Sequence, residues 1–305
     1  MKFRACTVGG DLNDSGVPII DAHVHLYPPE VNRDPAAWAA AKGETHWATL
    51  CTRKRKDGSP VQDFPSVDEL LRDMSAAGIE KSVLLGWYWE NHATCAAQNK
   101  FYAQCVREYP KQFAAFATVH PAAGEAALDE VRRAHDAGLI GLGELSPHAQ
   151  DFALSDPTWC KIMALAGKLK LPVNLHVTDP QSKPYPGRVE TPLEDFIELA
   201  RMFPTTELIL AHWGGGLAFD SANRALKNIY YDTAAAPLLY GPEVWQRAMD
   251  AVGAERILFG SDTPLRLYPK IERGTGLARM IIEAKAAGAE TAILGTNAAQ
   301  LLGLR

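Results

Sequence analysis

Eight short apolar runs alternate with longer amphipathic stretches along this sequence. The predicted strands span residues 18–26, 81–89, 113–120, 138–145, 172–177, 207–213, 228–234 and 256–262. Each run is almost continuously apolar before a polar end, which is typical of parallel strands covered on both faces. Strands that alternate with helices form βαβ units, and eight of them predict an α/β fold, the (β/α)8 TIM barrel. The 305 residues fit one such domain, 1–305.

Two longer connections interrupt this alternation. Residues 27–65 separate the first predicted strand from its helix, and ordinary connections in compact domains are much shorter. We interpret them as a long loop insertion that forms a lid or a pocket wall. The basic cluster Lys54–Lys56 within it is interpreted as part of a solvated loop. The second connection, residues 178–190, is rich in proline and polar residues.

Composition and charge exclude several classes of protein. The net charge is -5 and no long basic run occurs, so nucleic acid is not an expected partner. No stretch approaches the roughly 20 apolar residues that span a bilayer, and residues 1–16 lack the apolar core of a secretory signal. The five cysteines have no CxxC spacing, which favours a reducing cytoplasm. We expect a cytoplasmic protein that acts on a small molecule, as a monomer or as a homo-oligomer.

The first predicted strand carries two histidines, His23 and His25. Because they are two residues apart on a strand, both imidazoles point to the same side. Two such rings can take neighbouring positions around one metal ion. The pair alone also fits a structural or chance occurrence, so its meaning depends on the other strands.

Four further strands end in residues that bind metals or move protons: Glu144, His176, His212 and Asp262. In a (β/α)8 barrel the carboxyl ends of the strands surround one cleft, where active sites lie. A buried carboxylate is costly unless it is paired or coordinated. An ion pair for Glu144 and a helix cap for Asp262 are the alternatives. Six N and O ligands around one cleft nevertheless predict a metal centre of the catalytic zinc type.

Other residues near the predicted cleft are suited to substrate binding. Three glycines follow Trp213 and would let the backbone approach a substrate closely. Trp87 ends the second predicted strand, where it either lines the cleft or packs inside the barrel. Arg188 and Arg266 lie in loops after the fifth and eighth strands, and either could hold a substrate carboxylate in a bidentate pair. A plain surface position is the alternative for both arginines.

Several segments of the sequence are similar to a known family. They include IDAHVHLYPP, GLGELSPHAQDF, LPVNLHVTDP, LILAHWGGG, NIYYDTAA and ILFGSDTPL, in order from residue 20 to residue 265. With them the chain resembles the amidohydrolase superfamily, and more closely its amidohydrolase-related branch of TIM-barrel metal-dependent hydrolases. That branch also holds relatives of aminocarboxymuconate semialdehyde decarboxylase.

The resemblance implies a divalent metal bound by His23, His25, His176 and Asp262, with His212 nearby as a ligand or a transition-state stabiliser. Many relatives have lysine where this chain has Glu144. In the superfamily such a lysine is carboxylated in some members to bridge two metals, and a glutamate can bridge directly. The resemblance therefore implies one or two ions, with Zn²⁺ as the expected metal and Glu144 as a further ligand.

The leading hypothesis is a metal-dependent hydrolase that cleaves an amide, lactone or ester bond of a small, carboxylated substrate. Asp262 would accept the proton of the attacking water, and His212 would stabilise the oxyanion or hold a second metal. The alternative is metal-dependent, non-oxidative decarboxylation of an unsaturated or aromatic carboxylic acid, for which the same ligands would serve. A protein that binds metal or ligand without turnover is a third hypothesis.

Overall fold

Eight parallel strands form the centre of the structure, a computed structural model that describes residues 17–289 and 291–304. Residues 1–16, in which the sequence predicts no secretory signal, lie outside the described residues, and Cys6 is among them. The strands are β1 (Ile19–Val24), β2 (Ile79–Leu84), β3 (Phe113–Ala115), β4 (Leu142–Leu145), β5 (Val173–Leu175), β6 (Leu208–Leu210), β7 (Ile229–Asp232) and β8 (Ile257–Leu258). Each overlaps one predicted segment and is shorter than it. The reason is that residues past the carboxyl ends, such as His176 and Asp262, leave the strand ladder.

The strands follow chain order around a closed barrel. Hydrogen-bonded neighbours run β1-β2-β3 and β4-β5-β6-β7-β8. Ala117 pairs with Leu142 between β3 and β4, and Val24 at the end of β1 pairs with Thr263 after β8. These two parallel bridges join the sheets at both edges, so the fold is the (β/α)8 barrel that the sequence predicts.

Helical segments connect the strands and follow the last one. They are α1 (Pro29–Arg33), α2 (Pro35–Lys42), α3 (Thr45–Cys51), α4 (Val67–Ala77), α5 (His92–Glu108), α6 (Glu125–Asp136), α7 (Pro157–Leu169), α8 (Leu193–Met202), α9 (Ala211–Gly214), α10 (Ala236–Leu239), α11 (Glu243–Val252), α12 (Arg273–Ala286) and α13 (Asn297–Leu302). Helix α4 begins at a capping box in which Ser66 and Glu69 each accept the other's backbone N–H. In residues 17–289 and 291–304, no helix combines the length and apolar character needed to cross a membrane.

Residues 27–65, predicted as a long loop, contain helices α1, α2 and α3 and a short hairpin closed by the Lys54–Pro60 bridge. Tyr27 and Trp47 from this segment pack against Trp89 after β2, with ring centroids 6.1 and 5.4 Å from it. All three rings are buried. Buried aromatic contacts of this kind hold the segment against the barrel as a fixed wall.

Apolar side chains fill the interior of the barrel. Ile20, Val83, Phe116 and Ile209 form a buried cluster with Ala298 of α13. The interior is therefore a packed core and not a pore. Polar side chains are concentrated instead at the carboxyl ends of the strands.

Candidate metal centre and substrate cavity

Six side chains that the sequence singles out converge at the carboxyl ends of the strands. The first ligand group is His23 and His25 at the end of β1 with Asp262 after β8; the second ligand group is Glu144 on β4 with His176 after β5 and His212 after β6. Within each group the ligand atoms lie no more than 4.8 Å apart. Parallel strands all end on one face of the barrel, which is why residues so distant in sequence meet here.

The first ligand group has the spacing of ligands around one ion. The Nε2 atoms of His23 and His25 are 3.2 Å apart. Oδ1 of Asp262 lies 3.7 Å from Nε2 of His23 and 3.5 Å from Nε2 of His25. Zinc bonds of about 2.0–2.1 Å put tetrahedral ligand atoms roughly 3.3–3.4 Å apart. A divalent ion therefore fits between these three atoms.

Glu144 lies between the two ligand groups. Its Oε2 is 3.5 Å from His25 Nε2 and 3.9 Å from His23 Nε2. Its Oε1 is 2.9 Å from His176 Nδ1 and 3.6 Å from His212 Nε2. The buried carboxylate thus directs one oxygen at each group, which is the arrangement of a bridging ligand.

The second ring nitrogen of each histidine in the first ligand group faces an acceptor. His23 Nδ1 is 2.8 Å from Asp232 Oδ2, and His25 Nδ1 is 3.1 Å from the carbonyl oxygen of Leu85. When Nδ1 donates its proton in this way, Nε2 presents a lone pair to the cleft. Two lone pairs that face each other at 3.2 Å repel unless a proton or a cation lies between them. This donor set therefore fits a metal ion.

The backbone is distorted where it delivers ligand residues. His212 has φ of 59° and Asp262 has φ of 68°, both in the left-handed region. Such angles cost non-glycine residues on the order of 1–3 kcal/mol and persist only where the surroundings hold them. At Gly143, with φ of 132°, a Cβ atom would lie 2.5 Å from the carbonyl oxygen of Asn174. Glycine at this position lets β4 approach β5 closely just before Glu144.

Burial and histidine–carboxylate pairing govern the ionisation of the site. Burial opposes ionisation of Glu144, but the neighbouring histidines, His176 foremost, hold its pKa well below the usual value. Burial also opposes protonation of His23, yet its pair with Asp232 dominates and raises the pKa to about 10. For His212, burial is the largest single effect, but the carboxylates of Glu144 and Asp262 together outweigh it and raise the pKa to about 9. In the metal-free protein the carboxylates therefore keep protons on these rings, and a bound cation would displace them.

A cavity of about 670 Å³ opens beside both ligand groups. The rings of Trp87 and Tyr88, which follow β2, stack at a centroid separation of 4.4 Å, and Tyr88 lies 5.1 Å from the His176 ring. The guanidinium of Arg53 lies over the Tyr185 ring, 4.7 Å from its centroid. The wall thus offers flat aromatic surface together with positive charge, a combination that suits a planar anion.

The basic cluster is not simply a solvated loop. Arg53 and Arg55 both line the cavity, whereas Lys54 and Lys56 are exposed. Arg53 Nε donates to the carbonyl oxygen of Leu50, and Arg55 Nη2 donates to that of Arg266. Within the described ranges neither guanidinium forms an ion pair with a carboxylate. Arginine and lysine alternate from residue 53 to residue 56, and this alternation could have indicated that the arginines face the cavity and the lysines face solvent.

The two tryptophans predicted to bind substrate lie in different surroundings. Trp87 lines the cavity. Trp213 is fully buried and packs edge-to-face against Trp245 at a centroid separation of 5.3 Å. The prediction that Trp213 binds substrate is therefore corrected. The backbone at Trp213 is left-handed, with φ of 57°, so its side chain does not alternate as on a strand and the ring points into the core.

Arg188 and Arg266, the predicted clamps for a substrate carboxylate, are engaged elsewhere. Arg188 forms an ion pair with Glu190, and its Nε donates to Ser182 Oγ at 3.0 Å. Arg266 Nη2 lies 2.7 Å from Asp63 Oδ1. Neither arginine is among the residues that line the cavity. Both guanidinium groups thus pair with loop carboxylates, and the clamp role of each arginine stays a prediction.

Asp232 is a site residue that the sequence analysis did not single out. It ends β7, is fully buried and contacts His23. The segment NIYYD carries the same signal that identified Glu144 and Asp262, namely an acidic residue at the end of an apolar strand.

A closed (β/α)8 barrel with histidines and carboxylates at the carboxyl ends of its strands defines the class of metal-dependent TIM-barrel enzymes. Residues 20–304 match the sequence profile of the family described as Amidohydrolase. The chain therefore belongs to the amidohydrolase family, and the resemblance of its sequence segments is confirmed.

Solved structures with this fold include decarboxylases of aromatic acids. 2,6-Dihydroxybenzoate decarboxylase from Rhizobium is 20% identical with a TM-score of 0.64, and the match covers 94% of this chain and 99% of that one. 5-Carboxyvanillate decarboxylase from Novosphingobium aromaticivorans, with manganese and 4-hydroxy-3-methoxy-5-nitrobenzoic acid, is 16% identical with a TM-score of 0.73, covering 96% and 97%. A dihydroxybenzoic acid decarboxylase from Polaromonas, with manganese and 2-nitroresorcinol, is 20% identical with a TM-score of 0.61, covering 94% and 97%. At these identities the similarity establishes the fold.

Proposed function

We propose that the protein is a metal-dependent, non-oxidative decarboxylase of an aromatic or unsaturated carboxylic acid. The observation that carries the proposal is the cavity wall, in which Trp87, Tyr88 and Tyr185 offer flat rings and Arg53 offers a positive charge without a carboxylate partner among the described residues. A planar acid with a second anionic group matches this wall. The aromatic-acid decarboxylases of the same fold support the same choice. Hydrolysis, the leading hypothesis from the sequence, becomes the second candidate.

The residues that would hold the metal are His23, His25 and Asp262, with Glu144 as a shared ligand and with His176 and His212 for a second ion. Imidazole and carboxylate ligands suit both Zn²⁺ and Mn²⁺. Manganese is bound in two of the similar structures, so it stands beside the expected zinc. A divalent ion in this position would supply positive charge that orients and stabilises a substrate oxyanion.

Asp262 is the group proposed to move the proton. Decarboxylation breaks the bond between the carboxylate carbon and its neighbour, and a proton replaces the departing CO₂ on that neighbour. Asp262 lines the cavity and can deliver this proton from a carboxyl oxygen as a general acid. When CO₂ leaves, the electron pair of the broken bond restores the unsaturated system. Meanwhile Trp87 and Tyr88 hold the plane of the substrate, and Arg53 binds its second anionic group.

Hydrolysis of an amide, lactone or ester bond is favoured by one observation, the second ligand group. Glu144 and the two ligand groups would hold a pair of ions, an arrangement common in hydrolytic enzymes. In that reaction Asp262 would accept the proton of the attacking water and return it to the leaving group.

The products distinguish the two reactions. Enzyme loaded with Mn²⁺ or Zn²⁺ is incubated in H₂¹⁸O with hydroxylated benzoates, lactones and N-acyl amino acids. We expect CO₂ from a benzoate and no oxygen-18 in the organic product. Oxygen-18 in a product without CO₂ would support hydrolysis in its place. Bound metal without turnover of any compound would contradict both and favour a binding protein.

A further inference from the structure

We infer that Asp232 is the positioning residue that holds one histidine of each ligand group in place. The inference rests on the proposed metal centre and not on the reaction assigned to it. Asp232 is fully buried at the end of β7 and is not among the residues that line the cavity. It therefore acts through its neighbours and does not contact substrate.

Four hydrogen-bond donors converge on the two oxygens of Asp232. Oδ2 accepts from His23 Nδ1 at 2.8 Å and from Asn174 Nδ2 at 3.0 Å. Oδ1 accepts from the backbone N–H groups of His212 and Ala234, both at 3.1 Å. The donors come from β1, from β5 and from the segments after β6 and β7, so one carboxylate joins four parts of the barrel.

For His23, the contact with Asp232 determines which ring nitrogen carries the proton. An ionised carboxylate accepts Nδ1–H and leaves the Nε2 lone pair directed at the first ligand group. Carboxylates behind a ligand histidine typically change metal affinity by 10–100-fold when they are replaced.

For His212, the contact with Asp232 holds a strained backbone. His212 has φ of 59° and ψ of 48°, and its N–H donates to Asp232 Oδ1. Its Nδ1 lies 3.1 Å from the carbonyl oxygen of Ala234, whose own N–H binds the same Oδ1. Asp232 therefore fixes both the backbone of His212 and the acceptor that orients its ring.

An amide cannot replace this carboxylate. Asparagine has one acceptor oxygen and one NH₂ donor. In either orientation its NH₂ group would face two of the four donors, either His23 and Asn174 or the two backbone N–H groups. Asp232→Asn is nearly isosteric, yet it loses two acceptor contacts and sets donors against donors.

Asp21→Asn provides a matched control. Asp21 is also buried, and its Oδ1 accepts the backbone N–H groups of His23 and Ser261 at 3.2 and 2.8 Å. Its Oδ2 has no partner among the described residues. Asparagine can therefore keep the accepting oxygen and turn NH₂ to the other side. Asp21→Asn removes one buried carboxylate charge, as Asp232→Asn does, but it changes no hydrogen bond to an imidazole ring.

The test is a Co²⁺ titration of metal-free wild type, D232N and D21N, followed by the visible spectrum and by elemental analysis after dialysis. We expect D232N to bind Co²⁺ about 10–100-fold more weakly, with a changed spectrum, and D21N to stay close to wild type. Wild-type affinity and spectrum in D232N would overturn the inference. Equal weakening in D21N would also overturn it, because loss of charge alone would then explain the effect.

A second variant keeps the inference testable if D232N does not fold. Asn174→Ala removes one donor to Oδ2 and leaves the carboxylate in place, so the His23 contact loosens while the other donors remain. We expect a several-fold loss of Co²⁺ affinity, and unchanged affinity would overturn the inference. Failure of the wild type to bind Co²⁺ is a separate result that would contradict the metal centre itself.

Discussion

Glu144 and His176 lie 2.9 Å apart, from carboxylate Oε1 to ring Nδ1, while the other oxygen of Glu144 faces the first ligand group. Glu144 lies on β4 and His176 directly follows β5, and these two strands pair in parallel. A single buried side chain is thus shared between two sets of ligands. We therefore expect the number of bound ions to depend on this one carboxylate.

Glu144→Ala is expected to reduce bound metal from two ions per chain to one. The first ligand group keeps three residues, whereas the second keeps only His176 and His212. Elemental analysis after dialysis counts the ions. Glu44→Ala is the control, because Glu44 is a buried carboxylate bonded to the backbone of Glu90 and not to a ligand histidine. One ion in wild type, unchanged in E144A, would exclude bridging.

Metal binding is expected to release protons at pH 7. Pairing with carboxylates raises the pKa of His23 to about 10 and that of His212 to about 9. Both rings are then protonated at neutral pH and must lose that proton to coordinate. Metal affinity should therefore rise with pH, by up to about tenfold per unit for each proton released, until these rings are neutral. Calorimetry in two buffers of different ionisation enthalpy counts the protons, and a count of zero would contradict the prediction.

Asp262→Asn is expected to remove most turnover while most of the metal remains. The amide oxygen can still coordinate beside His23 and His25, but it cannot carry the proton, so kcat should fall by about 10²–10⁴-fold. The measurements are kcat and metal content. Asp220→Asn is the control, since Asp220 is exposed and caps a turn outside the cavity. Near-normal kcat in a metal-loaded D262N enzyme would show that another group moves the proton.

Arg53→Met is expected to weaken binding of acids that carry two anionic groups. A charge-assisted hydrogen bond contributes about 1.5–3 kcal/mol, which corresponds to roughly 10–100-fold in affinity. Isophthalate and benzoate serve as competitive inhibitors, and only isophthalate should lose affinity. Arg132→Met on α6 is a control, because Arg132 is paired with Asp129 on the surface. Equal loss for both inhibitors would argue against a role in binding the second anion.

The ligand residues on strand ends could be predicted from the sequence because side-chain direction on a strand is a local property. His23 and His25 share a face through their two-residue spacing, and Glu144 is identified by its place in an apolar run. The same reasoning could have found Asp232. Residues in loops could not be placed in this way, so the clamp roles of Arg188 and Arg266 stay predictions.

By itself, the sequence determined the eight βα units and the six ligand-type residues at the strand ends. Both can be recognised in short segments, because the direction of a side chain on a strand depends only on its position relative to its neighbours in the sequence. Only the tertiary structure decided that Glu144 faces both ligand groups, that Asp232 holds His23 and His212, and that Arg53 lines the cavity. Distances between residues of different strands depend on strand register, on closure of the barrel and on the left-handed backbone at His212. None of these is a property of a local pattern, so they emerge only when the barrel is assembled.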